Sequence, residues 1–309
     1  MSTTATPNGS SSIAANAARE GLICAFGAYL LWGMMPVYFK LVGNVPALEV
    51  LGHRIFWAVP FGLLIIHGRK QWGDVLAVLR QPRILVLLTV SAAFIAGNWL
   101  VYIHAVQSGN IFQASLGYYI NPLVSVLAGV VLFGERLNRA QQVSVGLAAL
   151  GVLVLAGAGG GFPLISLALA LSFTVYGVIR KSVPVGAMPG LFVETVVLVP
   201  IAGVYLANLM ASGASAFSSQ APALMGILML AGPVTVLPLM LFALAARRLP
   251  LATLGFIQFL APTLQFLVGV VYGEALTLPL AICFACIWTA VLVFAADAWR
   301  RRPRAIDHA

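Results

Sequence analysis

Long apolar stretches alternate with short polar segments along almost the whole chain. Ten of these stretches approach or exceed the length of about 20 mainly apolar residues that a bilayer-spanning helix needs. They cover residues 20–42, 46–66, 84–105, 111–133, 140–157, 162–180, 189–209, 222–245, 250–272 and 278–298. The pattern predicts an all-α membrane protein with ten transmembrane helices. The short connections predict that successive helices are antiparallel neighbours.

The composition supports a membrane protein and argues against a nucleic-acid partner. The 309 residues are 61% hydrophobic and only 8% charged, whereas a soluble domain is roughly 45–50% apolar and roughly 25% charged. The net charge is +9, but most of the basic residues stand singly or in pairs between apolar blocks. Since such spacing forms no basic face, we expect a lipid bilayer around the protein and no nucleic acid.

The positions of lysine and arginine predict the orientation in the membrane, because cytoplasmic loops carry an excess of both. With the N-terminus inside, the cytoplasmic segments hold 15 of the 17 basic residues. Both termini are then cytoplasmic: a disordered tail over residues 1–19 and a basic tail over residues 299–309. The two remaining basic residues, Lys40 and Arg54, lie within predicted spans.

The second half of the chain repeats the first at a shift of about 140 residues. "GVVLFGERL" from Gly129 resembles "GVVYGEAL" from Gly269, and the mid-span prolines Pro60 and Pro122 match Pro200 and Pro262. Each proline is expected to kink its helix. We predict two five-helix repeats, residues 20–157 and 162–298, joined by a connecting turn at 158–161. Five spans are an odd number, so the repeats are inverted, which is typical of alternating-access transporters.

Several motifs resemble a known family. They are "LLWGMMPVYFK", "HRIFW", "NWLVYIHAV", "ASLGYYINPLVSVLAGVVLFGERL", "YGVIRK" and "LGFIQFLAPTLQFLVGVVYGEAL". Together they resemble the RarD branch of the EamA-like permeases, in the drug/metabolite transporter superfamily, over residues 20–298. The resemblance implies ten helices in two five-helix repeats around a central cavity, and a multi-pass permease of the bacterial inner membrane.

Polar side chains inside the predicted spans are the candidate functional residues. A central arginine, lysine or aspartate costs about 2.5–3.5 kcal/mol on insertion scales, so each should have a partner or a wet cavity. Glu49, His53 and Trp57 are spaced by four and share a helix face. The candidate substrate-binding residues are Arg54, His53, Trp57, Lys40, Asn98, Tyr102, Tyr118, Asn121, Glu194 and Gln258.

Structural roles remain open for these residues. Arg54 could pair within the bundle, His53 could be satisfied by a neighbouring helix, and Lys40 could extend to the interface. Polar side chains in membranes often only join helices. Glu49 is interpreted as an exposed carboxylate at a helix start, and Arg180 as a cytoplasmic anchor.

Glu194 and Arg54 each stand six residues before a repeated proline, Pro200 and Pro60. These opposite charges at equivalent positions could pair across the bundle. Because inversion places them in opposite halves of the membrane, a direct contact is uncertain. We hypothesise that Glu194 faces the cavity and takes part in ion coupling.

The predicted function is secondary-active transport of a small polar or amphipathic metabolite or drug through a central cavity by alternating access. Protons or another ion are candidate coupling partners, and a monomer or a homodimer are both open. A channel and a non-transporting scaffold or sensor are the alternatives. An enzyme is disfavoured, since no nucleophile–base pair or H-E-x-x-H motif is present, and no cofactor is expected. The C-x-x-C of Cys283 and Cys286 is interpreted as two small packing side chains.

Overall fold

The structure is a computed structural model that describes residues 8–134, 136–158, 162–219, 222–249, 253–254 and 257–300. Its helices are α1 (Asn8–Gly33), α2 (Met35–Leu41), α3 (Ala47–Gly68), α4 (Trp72–Leu79), α5 (Pro82–Gln107), α6 (Ile111–Phe133), α7 (Arg139–Gly157), α8 (Leu164–Ser182), α9 (Ala187–Ala211), α10 (Ala216–Ser219), α11 (Pro222–Met229), α12 (Ala231–Ala246), α13 (Leu260–Val271) and α14 (Leu278–Arg300). The all-helical prediction is confirmed.

Nine apolar helical segments of the described residues are long enough to cross a membrane, and one shorter apolar helix accompanies them. The shorter helix is α13, which lies within the predicted ninth span, residues 250–272. Part of that span, residues 250–252, 255 and 256, lies outside the described residues. The exact count of ten spans therefore stays a prediction.

Three predicted spans are interrupted shortly before a proline. The breaks fall at Met34, at Leu230, and at residues 258–259. The prolines that follow are Pro36, Pro233 and Pro262. A proline ring clashes with the carbonyl four residues earlier and removes one helix hydrogen bond, so the helix tends to end before it. Pro262 thus lies in the first turn of α13, whereas it was expected in the middle of a kinked helix.

The N-terminal helix is longer than the sequence pattern predicts. It begins at Asn8, so residues 8–19, which were expected to be a disordered tail, are helical. Alanines at 14, 15, 17 and 18 favour this extension because alanine has the highest helix propensity. Residues 1–7, the linker glycines 159–161 and the C-terminal residues 301–309 lie outside the described residues.

Each main contact between helices has an equivalent when every helix is replaced by its counterpart from the other half. In the predicted repeat, α1–α2 corresponds to α8, α3 to α9, α5 to α11–α12, α6 to α13, and α7 to α14. The helix α1 packs against α12, and its equivalent α8 packs against α5. Likewise, the contact of α1 with α13 matches that of α8 with α6, and the contact of α3 with α12 matches that of α9 with α5. The remaining contacts, α3–α9, α6–α13 and α7–α14, each join two equivalent helices. This is the pairing that a duplicated five-helix unit predicts.

The same correspondence extends to the turns after α6 and α13. Gly134 and Gly273 both adopt left-handed backbone angles, with φ of 66° and 75°. This conformation is unfavourable for residues with a Cβ, which explains a glycine at both ends. The glutamate that follows Gly273 accepts two backbone hydrogen bonds at the start of α6. The matching Glu135 lies outside the described residues.

The outer surface of the bundle is apolar, and three charged side chains are buried inside it. Large apolar side chains such as Val131, Ile201 and Val271 are 79%, 72% and 83% exposed, while Glu49, Arg54 and Glu194 are nearly inaccessible. In a bilayer this arrangement places apolar groups against lipid and removes charges from it. The chain therefore folds as a multi-pass membrane bundle with buried polar groups.

Candidate substrate site

Arg54 occupies the interior of the bundle between the two halves. The Nε of its guanidinium donates a hydrogen bond of 2.8 Å to Oγ1 of Thr235. Arg54 lies on α3 in the first half, and Thr235 lies on α12 in the second. Arg54 is only 5% exposed, so this bond joins the two halves well away from the surface.

A close contact between helix backbones brings these two residues together. Gly232 lies one helical turn before Thr235 and packs directly against the carbonyl group of Trp57. Trp57 in turn lies about one turn after Arg54 on α3. A Cβ at position 232 would lie 2.6 Å from the carbonyl carbon of Trp57, so only glycine permits this approach. The glycine thus sets the separation that the Arg54–Thr235 bond requires.

Aromatic rings surround the guanidinium. Its central carbon lies 4.2 Å from the ring centroid of Trp99 and 5.8 Å from that of Phe39. The Tyr102 ring lies 5.8 Å from Phe39 and 5.5 Å from Tyr118. We call Arg54, Thr235, Phe39, Trp99, Tyr102 and Tyr118 the Arg54 site. Cation–π attraction is strongest in such desolvated surroundings and offsets part of the cost of the buried charge.

Asn98 connects the Arg54 site to one further helix, α8. Its Nδ2 donates to the carbonyl oxygen of Leu169 and to Oγ of Ser172, both at 2.9 Å. Its Oδ1 accepts a hydrogen bond of 3.2 Å from the Tyr118 hydroxyl. The amide is therefore fully engaged between α5, α6 and α8. Its observed role is to hold Tyr118 in place.

Glu49 and His53 form a separate buried pair on another face of α3. The structure corrects the interpretation of Glu49 as exposed, because the segment at Ser215 to Phe217 covers the helix start. Glu49 accepts hydrogen bonds from Oγ of Ser215 at 2.8 Å and from the backbone N–H of Phe217 at 3.4 Å. The His53 ring stacks on Phe217 at 4.9 Å, and its Nε2 lies 3.9 Å from Glu49. Trp57 also contacts Phe217, so the predicted shared face is confirmed.

Glu194 lies in a third cluster and does not contact Arg54. It accepts a 2.7 Å hydrogen bond from Oγ of Ser91, and its Oε1 lies 3.8 Å from Nε of Arg180. The proposed Arg54–Glu194 pair is absent from the described residues. Arg54 instead meets Thr235 and Trp99, and Glu194 meets Ser91 and Arg180. Arg180, interpreted only as an anchor, in fact pairs with a buried carboxylate.

Three further predicted residues lie outside these three clusters. Nζ of Lys40 lies 5.7 Å from the ring centroid of Tyr272. Oδ1 of Asn121 accepts a 3.1 Å hydrogen bond from Thr174. Gln258 is half-buried, and its side chain makes no hydrogen bond with any described residue. The predicted candidates are thus divided among several clusters.

The sequence pattern did not indicate several members of these clusters. Thr235 and Ser91 are small polar residues in apolar spans and could have been noticed as such. Phe39 carries no signal, because an apolar residue in an apolar helix looks like any other.

A cavity of about 260 Å³ opens elsewhere, beside Asn110 and Glu274 at one end of the bundle. The carboxylate of Glu274 is already engaged there by two backbone N–H groups.

Together, the lipid-facing apolar surface, the paired halves and the buried polar residues define a multi-pass membrane protein of the transporter class. The EamA-like transporter family matches residues 19–157, the part of the chain predicted as the first repeat. The chain belongs to the EamA-like transporter family.

Similar proteins agree over nearly the whole length. The chain is 44% identical to "Protein RarD" of Salmonella typhi, with 91% of this chain and 96% of that protein covered. It is 42% identical to "Protein RarD" of Escherichia coli K12, covering 91% and 95%. An "Uncharacterized transporter" of Vibrio cholerae is 44% identical, covering 91% and 93%. A solved crystal structure with 25% identity superimposes with a TM-score of 0.58, covering 91% of this chain and 98% of the other.

Proposed function

We propose that this chain is a secondary-active transporter that moves a small polar or amphipathic molecule through the bundle centre by alternating access. The observation that carries the proposal is the Arg54 site. Its buried Arg54 joins the two halves by the hydrogen bond to Thr235. Two of its members, Phe39 and Thr235, follow the helix breaks at Met34 and Leu230. Binding sites in transporters with inverted repeats characteristically lie at the repeat interface, beside discontinuous helices.

The energetic cost of this site favours a functional role over a purely structural one. Helices in a membrane can associate through apolar packing and small residues alone. An arginine at the helix centre costs about 2.5–3.5 kcal/mol on insertion scales. Thr235 engages only its Nε, which leaves the charge without a carboxylate partner in the described structure. A transported solute that reaches the guanidinium would use the remaining donors.

Glu194 is the proposed coupling residue. It is only 1% exposed, and the titratable or charged groups that the structure brings to it are Tyr176 and Arg180, both on α8. Protonation of the carboxylate would remove its attraction to Arg180 and loosen the contact between α8 and α9.

The excess of basic residues in alternate loops further supports an orientation with both termini in the cytoplasm.

Transport is tested with the purified protein in proteoliposomes loaded with a mixture of bacterial small metabolites. The measurement is the loss of each compound from the lumen by mass spectrometry, with empty liposomes as the background. We expect saturable flux of a narrow set of compounds. Flux should fall at least about tenfold in Arg54→Gln, since a charged hydrogen-bond partner is lost. The exposed Arg83→Gln serves as the matched control and should retain wild-type flux.

The same experiment separates the alternatives. A secondary transporter should exchange labelled for unlabelled substrate across the membrane without net flow. Flux that never saturates and shows no exchange would indicate a channel. Absence of flux for every compound, in protein that remains folded, would contradict transport and favour a scaffold or sensor.

A further inference from the structure

The Arg54 site contains hydrogen-bond donors that no described residue accepts from. The two terminal nitrogens of the guanidinium make no hydrogen bond within the described part of the chain, where Nε alone is engaged. The hydroxyl of Tyr102, which is 4% exposed, is likewise without a partner there. An arginine carries five N–H donors and no acceptor. Most of the donors on this buried charge are therefore available to a ligand.

The described residues offer Arg54 no carboxylate partner. The nearest carboxylate in sequence, Glu49, faces Ser215 and Phe217, and Glu194 faces Ser91 and Arg180. The Thr235 hydroxyl donates a hydrogen bond to the carbonyl oxygen of Ala231 and accepts one from Arg54. No ion pair between Arg54 and any described carboxylate is present. Within the described part of the chain, the charge of Arg54 is thus met only by the Thr235 hydroxyl and by aromatic rings.

We propose that the Arg54 site binds the anionic head of a small organic acid, a carboxylate or a phosphate, as the substrate of this transporter. The inference rests on the proposed transport function. An acceptor-only group complements the unused N–H donors of Arg54 and the unpartnered hydroxyl of Tyr102. Carboxylate and phosphate also match the planar fork of a guanidinium through two parallel hydrogen bonds. Tyr102 can supply one more.

The rings around the guanidinium indicate what surrounds the bound head group. The guanidinium lies over the Trp99 ring, with its central carbon 4.2 Å from the ring centroid. The rings of Phe39 and Tyr118 both contact that of Tyr102, so the three form a contiguous aromatic surface in the Arg54 site. An acid with an apolar body would bury that body against these rings, and each buried methylene would add to affinity.

The experiment compares acids with their neutral amides on the purified full-length protein in detergent at constant ionic strength. The probes are benzoate against benzamide, acetate against acetamide, and inorganic phosphate, each titrated by calorimetry and by thermal unfolding. Phosphate separates a phosphate site from a carboxylate site, and benzoate against acetate tests the apolar body. The variants are Arg54→Gln, Arg54→Lys, Tyr102→Phe and the exposed control Arg83→Gln.

We expect at least one of the three anions to bind and, for the carboxylates, its amide to bind at least about tenfold more weakly. That preference should vanish in Arg54→Gln, shrink in Arg54→Lys and Tyr102→Phe, and persist in Arg83→Gln. If Arg54→Gln does not fold, the Arg54→Lys and Tyr102→Phe variants decide the outcome. Equal binding of acids and amides overturns the inference, and so does the absence of any anion effect that depends on Arg54 or Tyr102.

Failure of this inference is distinguishable from failure of the transport function. Flux of neutral compounds without an anion effect would leave transport standing and remove the anion site. Anion binding that depends on Arg54, in protein that moves nothing across liposomes, would keep the site and contradict transport.

Discussion

Replacing Gly232 by alanine should separate the two halves of the bundle at the Arg54 site. The added Cβ would lie 2.6 Å from the carbonyl carbon of Trp57. The new Cβ is attached directly to the backbone of α12, and the carbonyl group of Trp57 belongs to the backbone of α3. Neither atom can therefore rotate away. Ordinary contact begins at 3.4 Å, and reaching it from 2.6 Å requires a displacement of at least about 0.8 Å. Insertion of a methyl group into such a contact costs about 1–3 kcal/mol.

The same displacement should weaken the hydrogen bond between Arg54 and Thr235. That bond spans 2.8 Å between α3 and α12. If α12 moves away along it by about 0.8 Å, the separation reaches about 3.6 Å, which is no longer a hydrogen bond. Gly232→Ala should therefore lower both the stability of the protein and the flux through it.

The assay is thermal and chemical unfolding in detergent, followed by flux in proteoliposomes. Gly203→Ala is the matched control, because a Cβ at that position of α9 meets nothing within 4 Å. Alanine in place of a helical glycine should leave the control unchanged or stabilise it by about 0.4–1 kcal/mol. An unfolding midpoint for Gly232→Ala equal to that of Gly203→Ala would refute the close backbone contact and the reasoning built on it.

Three other substitutions have defined outcomes. Glu194→Gln should lose about 1–3 kcal/mol of stability as the attraction to Arg180 disappears, and flux equal to wild type at every pH would contradict its role in coupling. Glu274→Gln should cost about 0.5–2 kcal/mol in unfolding experiments, because two backbone N–H groups at the start of α6 lose a charged acceptor. Asn98→Ala should cost about 1–3 kcal/mol and release the Tyr118 hydroxyl. An unchanged midpoint for Glu274→Gln or Asn98→Ala would show that the respective contacts do not form in solution.

The structure also changes the meaning of residues that the sequence pattern had placed together. His53 and Arg54 are adjacent in the chain but turn about 100° apart on α3, so His53 meets Phe217 while Arg54 meets Thr235 and Trp99. The four-residue spacing of Glu49, His53 and Trp57 correctly predicted their shared face. It contained no information on which neighbouring segment that face would contact.

The sequence by itself determined the class and the helical architecture of this protein, and its internal similarity predicted two repeats. Apolar runs of bilayer length leave few other folds, since every backbone group in lipid must be hydrogen-bonded internally. The repeated prolines and Gly-Glu pairs indicated two similar halves, because local backbone geometry requires those residue types. These signals are carried by short segments, and so they can be read from the chain alone.

The tertiary structure alone decided which polar groups face one another. Arg54 acquires its environment from Thr235, which is 181 residues away, and Glu194 acquires its own from Ser91 and Arg180. Such partners depend on helix rotation and on close contacts such as that of Gly232 with Trp57. Turning each helix about its axis by one residue would give every polar side chain different partners, although the hydrophobic pattern of the sequence would stay the same. The physical reason is that burial of apolar surface is non-directional, whereas hydrogen bonds and ion pairs require specific positions.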